Sequence, residues 1–285
     1  MIVKTRHNSD SHMMETYDPG VGRARGVLRR PLTAGSVKHL RRSPSSDVSQ
    51  WIAHYWGVRW SLPADESYTA ETLPHPSVHM IFEKGHCMVS GPHTRKFSRT
   101  LQGQGEAFGI KFKPGRFRPF AQDCVSKLAN QVVPARCIFG ESVEDLKTAI
   151  FSCEQETKRV EACNNFFRAC LPRPCEDADL AERLVEQVSR DAEIKAVNDL
   201  AARSRIGKRS LQRLFNEYVG VSPKWVIRRY RLHELVEKVQ CTGELDWAQV
   251  ALDLGYFDQA HLINDFRSMV GYSPTRYRKL TLRNA

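Results

Sequence analysis

Leu211-Gln212-Arg213-Leu214-Phe215-Asn216-Glu217-Tyr218-Val219-Gly220-Val221-Ser222-Pro223 returns later in the chain as Leu262-Ile263-Asn264-Asp265-Phe266-Arg267-Ser268-Met269-Val270-Gly271-Tyr272-Ser273-Pro274. The two stretches lie 51 residues apart, and Leu, Phe, Val, Gly, Ser and Pro coincide in the same order and spacing. In each copy apolar residues recur every three or four positions, the signature of an amphipathic helix. Gly220 and Gly271 suit the left-handed position that ends a helix. Ser222 and Ser273 can then cap the next helix, with Pro223 and Pro274 in its first turn. Each copy therefore reads as helix, tight turn, helix, then Gly-x-Ser-Pro opening a further helix.

Working back from the second copy, Ala251 and Gly255 supply a small side chain where two helices touch and a glycine where the turn reverses. Asp258 caps the helix that follows. In the first copy the turn runs through Ser204-Arg205-Ile206-Gly207. Arg205 occupies the place where a turn glycine is expected. The units span about 197–218 and about 246–270, joined by a connecting helix at about 222–240.

Charge supports a polyanion as partner for this segment. The 285-residue chain carries a net charge of +11. Residues 1–42 hold 9 basic and 3 acidic residues, residues 43–194 hold 18 and 20, and residues 195–285 hold 16 and 9. A near-neutral middle between two basic ends points to nucleic-acid binding at the C-terminus and a separate role for the middle. No acidic residue lies between 200 and 216. Inward-facing Leu211, Leu214, Phe215 and Tyr218 turn Lys208, Arg209, Gln212 and Arg213 outward. Arginine bidentate to guanine and glutamine bidentate to adenine are the expected major-groove pairings. Arg203, Arg205, Lys224, Arg228 and Arg229 are read as phosphate contacts, and Arg231 beside them as a phosphate contact or part of a solvated face.

On these residues, 190–285 resembles the DNA-binding domain of AraC/XylS-type bacterial transcription regulators. The carrying pattern is Arg213-x-Phe215 with Gly220-x-Ser222-Pro223, then Ala251, Gly255-Tyr256, Phe266, Gly271-Tyr272-Ser273-Pro274 and Tyr277-Arg278. The resemblance implies two recognition helices entering successive major-groove segments of double-stranded DNA, about one helical turn apart. RNA polymerase and a small-molecule effector are further candidate partners. A dimer is compatible but not demanded, since one chain already offers two reading helices. The second unit departs from the family in having Asn264 where arginine is usual, followed by Asp265. Gln259, His261 and Asn264 are its candidate base contacts, and the first unit is expected to carry most of the specificity.

Residues 46–140 read as a β-rich sensor or interaction domain. Their short apolar runs are broken at Leu62-Pro63, Lys84-Gly85, Gly91-Pro92, Gly103-Gln104-Gly105 and Pro114-Gly115. His75-Pro76-Ser77-Val78-His79-Met80-Ile81-Phe82, Ser90-Gly91-Pro92 and Phe108–Gly115 resemble an uncharacterised domain found ahead of some AraC-type regulators. Trp51, Tyr55, Trp56, Trp60, Phe82 and Phe108, with His79, can line an effector pocket, although such aromatics are more often core. Residues 1–45, rich in Gly, Arg, Ser and Pro, read as a disordered basic arm, and 141–189 as a helical linker. The fold class expected is α+β.

Other chemistry is disfavoured by spacing. His75 and His79 fall on one face of an extended segment but some 13 Å apart, and His86-Cys87 adds no knuckle, so no metal and no cofactor are expected. The eight cysteines show no tight C-x₂-C knuckle; Cys170 and Cys175, with four residues between them, come closest, and all eight read as reduced thiols. An alkyl-accepting repair protein also carries AraC-type units, but its Pro-Cys-His-Arg motif is absent here. No apolar run reaches 18 residues, so no membrane span is expected, and with no apolar h-region at the N-terminus the expected location is the cytoplasm. The alternative readings are an enzymatic or ligand-binding domain whose basic helices tether DNA non-specifically, and a sensor acting mainly through protein partners.

Overall fold

Alternation along β3 (Ile52–Ser61) sets the architecture of the N-terminal half. The structure is a computed structural model describing residues 13–22, 26–28, 36–241 and 245–282. The strands are β1 (Met13–Tyr17), β2 (Val37–Arg42), β3, β4 (Ser67–Thr72), β5 (His79–Glu83), β6 (His86–Ser90), β7 (Phe97–Gln102), β8 (Gln104–Phe112) and β9 (Val132–Pro134). Seven of them form one sheet in the order β1-β2-β3-β8-β5-β6-β9, and β4 pairs with β7 in a second.

Cross-strand register aligns Tyr55 with Ile110, Met80 and Val89 on one face, and Phe108 with Phe82 and Cys87. These residues bury against Val143, Leu146 and Ile150 of α2 (Ser142–Ser152) and Cys163 and Phe167 of α3 (Glu156–Cys170). A short α1 (Arg136–Phe139) precedes them. Phe112, Phe117, Phe120 and Phe167 meet largely edge-to-face at 4.8–6.2 Å, the geometry favoured by the ring quadrupole. The opposite face carries His54, Lys111, His79 and Ser90 in one cross-strand row. At one end of that face Val58 and Trp60 are covered by the small sheet, with Val37, Leu62, Tyr68 and Leu101 as its core.

The C-terminal half is helical: α4 (Glu176–Arg190), α5 (Val197–Ser204), α6 (Lys208–Leu214), α7 (Pro223–Cys241), α8 (Trp247–Asp253), α9 (Gln259–Val270) and α10 (Pro274–Leu282). The two repeat copies bury the same positions. Leu211 and Leu262, Phe215 and Phe266, and Val219 and Val270 all sit in cores. The early part of α7 packs with α4, α5 and α6, and its later part, from Leu232, with α8, α9 and α10. One long helix thus holds both units.

Three sequence expectations are corrected. The basic arm is not structureless throughout, because Val37–Arg42 pairs with β3 over six residues and Val37 is fully buried. The remainder of 1–35 lies partly outside the described residues. The stretch 141–189 does not act as a linker: α2 and α3 bury their apolar stripes on the sheet, whereas Ala181, Leu184, Val185 and Val188 of α4 complete the core of the first repeat unit. Arg231 fixes that arrangement. Its buried guanidinium donates to the carbonyls of Val188 (2.7 Å) and Asp191 (3.3 Å), acceptors that the C-terminus of α4 leaves over. The helix expected over 208–218 is also not uniform. After Leu214 it widens into a π-helical turn, Phe215–Val219, before Gly220 ends it at φ 85°.

The two halves are in contact. Arg116 pairs with Asp179 and Glu182, and Lys113 joins Glu182 at 3.1 Å. Trp225 Nε1 donates to the Thr94 carbonyl at 3.3 Å, and the Tyr272 hydroxyl to Glu71 at 2.9 Å.

Candidate nucleic-acid interface

The first unit is α5, a turn, and α6. Asp199 Oδ2 accepts from the backbone N–H groups of Lys195 and Ala196 at 3.0 and 2.8 Å, fixing the entry to α5. Arg205 then adopts φ 57° and ψ 30°, the left-handed conformation that Gly255 supplies at φ 77° in the second unit. Leu211 and Phe215 bury their side chains completely. Lys208, Arg209, Gln212 and Arg213 are exposed, and none forms an ion pair among the described residues. α6 therefore presents three cations and an amide with no acidic group among them.

In the second unit Asp246 Oδ1 accepts from Ala248 and Gln249 at 2.9 and 3.2 Å, capping α8. Asp258 Oδ1 accepts from His261 N at 2.7 Å and caps α9. Gln259, His261 and Asn264 are exposed on α9. Asp265 points back instead, with Oδ2 3.2 Å from Arg228 Nε, and Arg228 Nη2 donates to His261 Nε2 at 3.1 Å. The acidic residue that seemed to spoil this helix is thus spent on an internal pair. As expected, Ser222 Oγ accepts from Trp225 N at 3.2 Å and Ser273 Oγ from Arg276 N at 3.3 Å.

The expected phosphate contacts divide. Arg205 and Lys224 are exposed. Arg203 is exposed while paired with Asp191. Arg228 bridges to α9. Arg229 is a correction: it is only 5% exposed and its Nε donates to the Pro74 carbonyl at 2.9 Å, so it holds the N-terminal half and cannot reach a phosphate. Arg231, 1% exposed, is likewise structural. Between the units, Lys195, Lys224, Arg228 and His261 line a cleft of about 300 Å³. Lys195 was missed by sequence reasoning, because it precedes α5 and only the packing of Gly255 against it brings it to the cleft. Arg267, exposed a turn beyond Asn264, and Phe257, 88% exposed just ahead of α9, were also passed over.

The aromatic set does not converge on one pocket. Trp51, Tyr55, Phe82 and Phe108 are buried in the core beneath α2 and α3. Trp56, Trp60 and His79 lie on the other face of the sheet, because successive strand residues point to opposite sides.

Residues 200–280 match the model of a helix-turn-helix domain, and residues 40–134 match that of a domain of unknown function, DUF6597. The C-terminal segment is an AraC-type helix-turn-helix domain. Over 104 residues the chain is 34% identical to the transcriptional activator NphR of Rhodococcus sp, covering 36% of this chain and 30% of that one. It is 32% identical over 83 residues to the HTH-type transcriptional activator AarP of Providencia stuartii, covering 29% and 61%. The chain thus spans less than two thirds of the length of either relative. Among solved structures, ToxT from Vibrio cholerae O395 aligns with 80% of this chain and 98% of its own, at 13% identity and a TM-score of 0.38.

Proposed function

We propose that this chain is a sequence-specific transcription regulator that binds double-stranded DNA through α6 and α9. The observation that carries this reading is the exposed Lys208-Arg209-Gln212-Arg213 face of α6, free of acidic partners in an AraC-type domain. Arg209, Gln212 and Arg213 read base edges, with Lys208 beside them. Gln259, His261 and Asn264 make the lesser contribution from α9. Arg203, Arg205, Lys224 and Arg228, joined by Lys195, hold phosphates and so set register rather than sequence.

The N-terminal β domain is the regulated half, responding to an effector or partner and acting through its contacts with α7. NphR and AarP carry the name of transcriptional activators, and an activator or repressor of this type acts on RNA polymerase at the promoter. Its place is the bacterial cytoplasm, with the DNA. A single chain suffices for two groove contacts, so dimerisation is an added layer.

The test is selection of duplexes from a random pool by the full chain, followed by a salt-series titration of the selected site against a scrambled duplex. A preference of about 10³-fold or more near 0.15 M salt is expected. Equal, salt-sensitive binding to both duplexes would overturn specific recognition and favour a non-specific tether.

A further inference from the structure

The repeat sets the two reading helices against each other residue by residue. Displaced by 51 positions, Arg209 of α6 coincides with Ala260 of α9, and Arg213 with Asn264. The buried pair Leu211 and Phe215 coincides with the buried pair Leu262 and Phe266, so both helices turn the same positions inward. At about 100° per residue, Arg209 and Arg213, four apart, share the face opposite that pair. Ala260 and Asn264 share the same face of α9. All four residues are exposed. The outward face that carries two guanidiniums in the first unit therefore carries a methyl group and a carboxamide in the second.

The residue ahead of each helix differs too. Ile206 and Phe257 are equivalent by the same displacement, each standing just before the residue that caps its helix. A hydrophobic side chain at this place commonly staples onto the fourth residue of the helix, here Leu211 or Leu262. Ile206 packs against the core that holds Leu211. Phe257 stays outside the core that holds Leu262 and is 88% exposed. The residues flanking it are committed: Tyr256 is buried with its ring edge-on to His261 at 5.1 Å, and Asp258 caps α9. Lone exposed apolar side chains are ordinary on protein surfaces. This one stands at the N-terminal end of a recognition helix, the end that meets base edges, with Gln259 and Ala260 exposed beside it.

In the major groove guanine presents two acceptors, O6 and N7, whereas an A·T pair presents the thymine methyl group beside the adenine N6 donor and N7 acceptor. Two guanidiniums suit guanine. A methyl group and a phenyl ring would leave the guanine acceptors without donors, and they pack instead against a thymine methyl. A carboxamide both donates and accepts, which matches adenine. Arg267, exposed towards the far end of α9, lies away from the end that enters the groove and is placed for the phosphate backbone. We propose that the operator is asymmetric: α6 reads a guanine-containing segment, and α9 reads an A·T segment about one helical turn away. There Phe257 and Ala260 contact thymine methyl groups, and Asn264 pairs with adenine. The inference rests on the DNA-binding reading above and adds the base composition of each segment and a specificity residue, Phe257, outside the helix itself.

Selection from a random pool by the full chain supplies the operator, and replacing its thymines one at a time by deoxyuridine deletes single methyl groups while keeping every hydrogen-bonding group. Relaxed preference at guanine in Arg213→Ala marks the segment read by α6. In the other segment at least one thymine-to-uracil change should weaken binding of the wild-type chain about threefold to fourfold, the worth of one methyl-sized apolar contact. Phe257→Ala should bind the thymine duplex more weakly and lose the penalty at one such position. Leu252→Ala, which removes an exposed apolar side chain of α8, should keep the full penalty. Reselection with Ala260→Arg and Asn264→Arg together should move the second segment towards guanine. Guanine in both segments of the wild-type operator, binding indifferent to every uracil, or an undiminished penalty in Phe257→Ala would each overturn the proposal. So would a Phe257→Ala chain that binds DNA normally but no longer regulates, which would give the ring to a protein partner. Specific binding without methyl discrimination sinks this inference alone, whereas equal binding to selected and scrambled duplexes sinks the DNA-binding reading beneath it.

Discussion

Arg205 and Gly255 occupy the same place in the two repeat units, and exchanging their chemistry tests the turn geometry directly. Arg205 sits at φ 57°, ψ 30°. For an L-residue the left-handed conformation costs roughly 1–2 kcal/mol, while glycine costs about 0.5–1 kcal/mol in extra unfolded-chain freedom. Its side chain is exposed and unpaired among the described residues, so no contact is lost on removal. Arg205→Gly should therefore stabilise by about 0.5–1 kcal/mol. Gly255→Ala combines the left-handed penalty at φ 77° with a Cβ built 2.9 Å from the Cβ of Lys195. Neither Cβ can rotate away, so overpacking of about 1–3 kcal/mol adds to the strain. Urea unfolding followed by the helical circular dichroism signal measures both variants, read as a shift in midpoint at constant m. Arg205→Asn, which tolerates this conformation better than arginine, should fall between wild type and Arg205→Gly. A less stable Arg205→Gly, or a neutral Gly255→Ala, would refute the reasoning. The same Arg205→Gly variant should bind DNA more weakly, because its cation is lost where phosphates are proposed. Stability and affinity then move in opposite directions.

Three further outcomes follow from the placement of charge. On the selected duplex Arg213→Ala should cost roughly 1–3 kcal/mol of specific binding and Asn264→Ala less; titrations giving the reverse order would show that the second unit dominates. Lys224→Ala should reduce the slope of log affinity against log salt by about one, whereas Arg229→Ala should leave that slope alone. Instead, Arg229→Ala should lower stability by about 1–3 kcal/mol, since the Pro74 carbonyl loses its buried donor; an altered slope would return Arg229 to the DNA face. Folding lowers Lys111 from 10.5 to about 7. Between those values the unfolded chain holds a proton that the folded chain lacks, so stability of the ligand-free protein should rise with pH from about 7 towards 10. The slope from this one group is at most about 1.4 kcal/mol per pH unit, and denaturation curves of Lys111→Met should be flatter across that window.

What could be read from the sequence and what could not differ in range along the chain. Each helix-turn-helix unit takes its turn and caps from a short run of sequence, and this punctuation is local: Gly220 and Gly271 end helices, Ser222 and Ser273 cap the next. Such features remain visible in one dimension, including the irregular Arg205. Whether a cation on α7 faces DNA or protein was not visible, because Arg228, Arg229 and Arg231 have the same chemistry and differ only in what packs opposite. Arg229 meets the Pro74 carbonyl and Arg231 the end of α4, partners 155 and 43 or 40 residues away. Composition alone assigns all three to the phosphate backbone.

The β half was legible as a class and illegible as a site. His54, His79 and Lys111 are scattered over 58 residues and become neighbours only because β8 inserts between β3 and β5. Alternation along β3 is interrupted as well, since a register shift between Ile52 and His54 changes which residues share a face. Ile52 and Tyr55, three apart, accordingly both fall in the core, while Trp56 joins the opposite surface with His54. An aromatic run read as one set therefore serves two sides of the sheet. The half that goes to the core is explained by apolar burial. The half that faces α7 is not, because Lys111, His54, His75 and His79 stand there with Arg41 and Arg229, and the carboxylate that reaches the group, Glu237, acts on Arg229 rather than on Lys111. A sheet face built only for stability has no use for that arrangement, and neutral apolar residues of similar size would cost less.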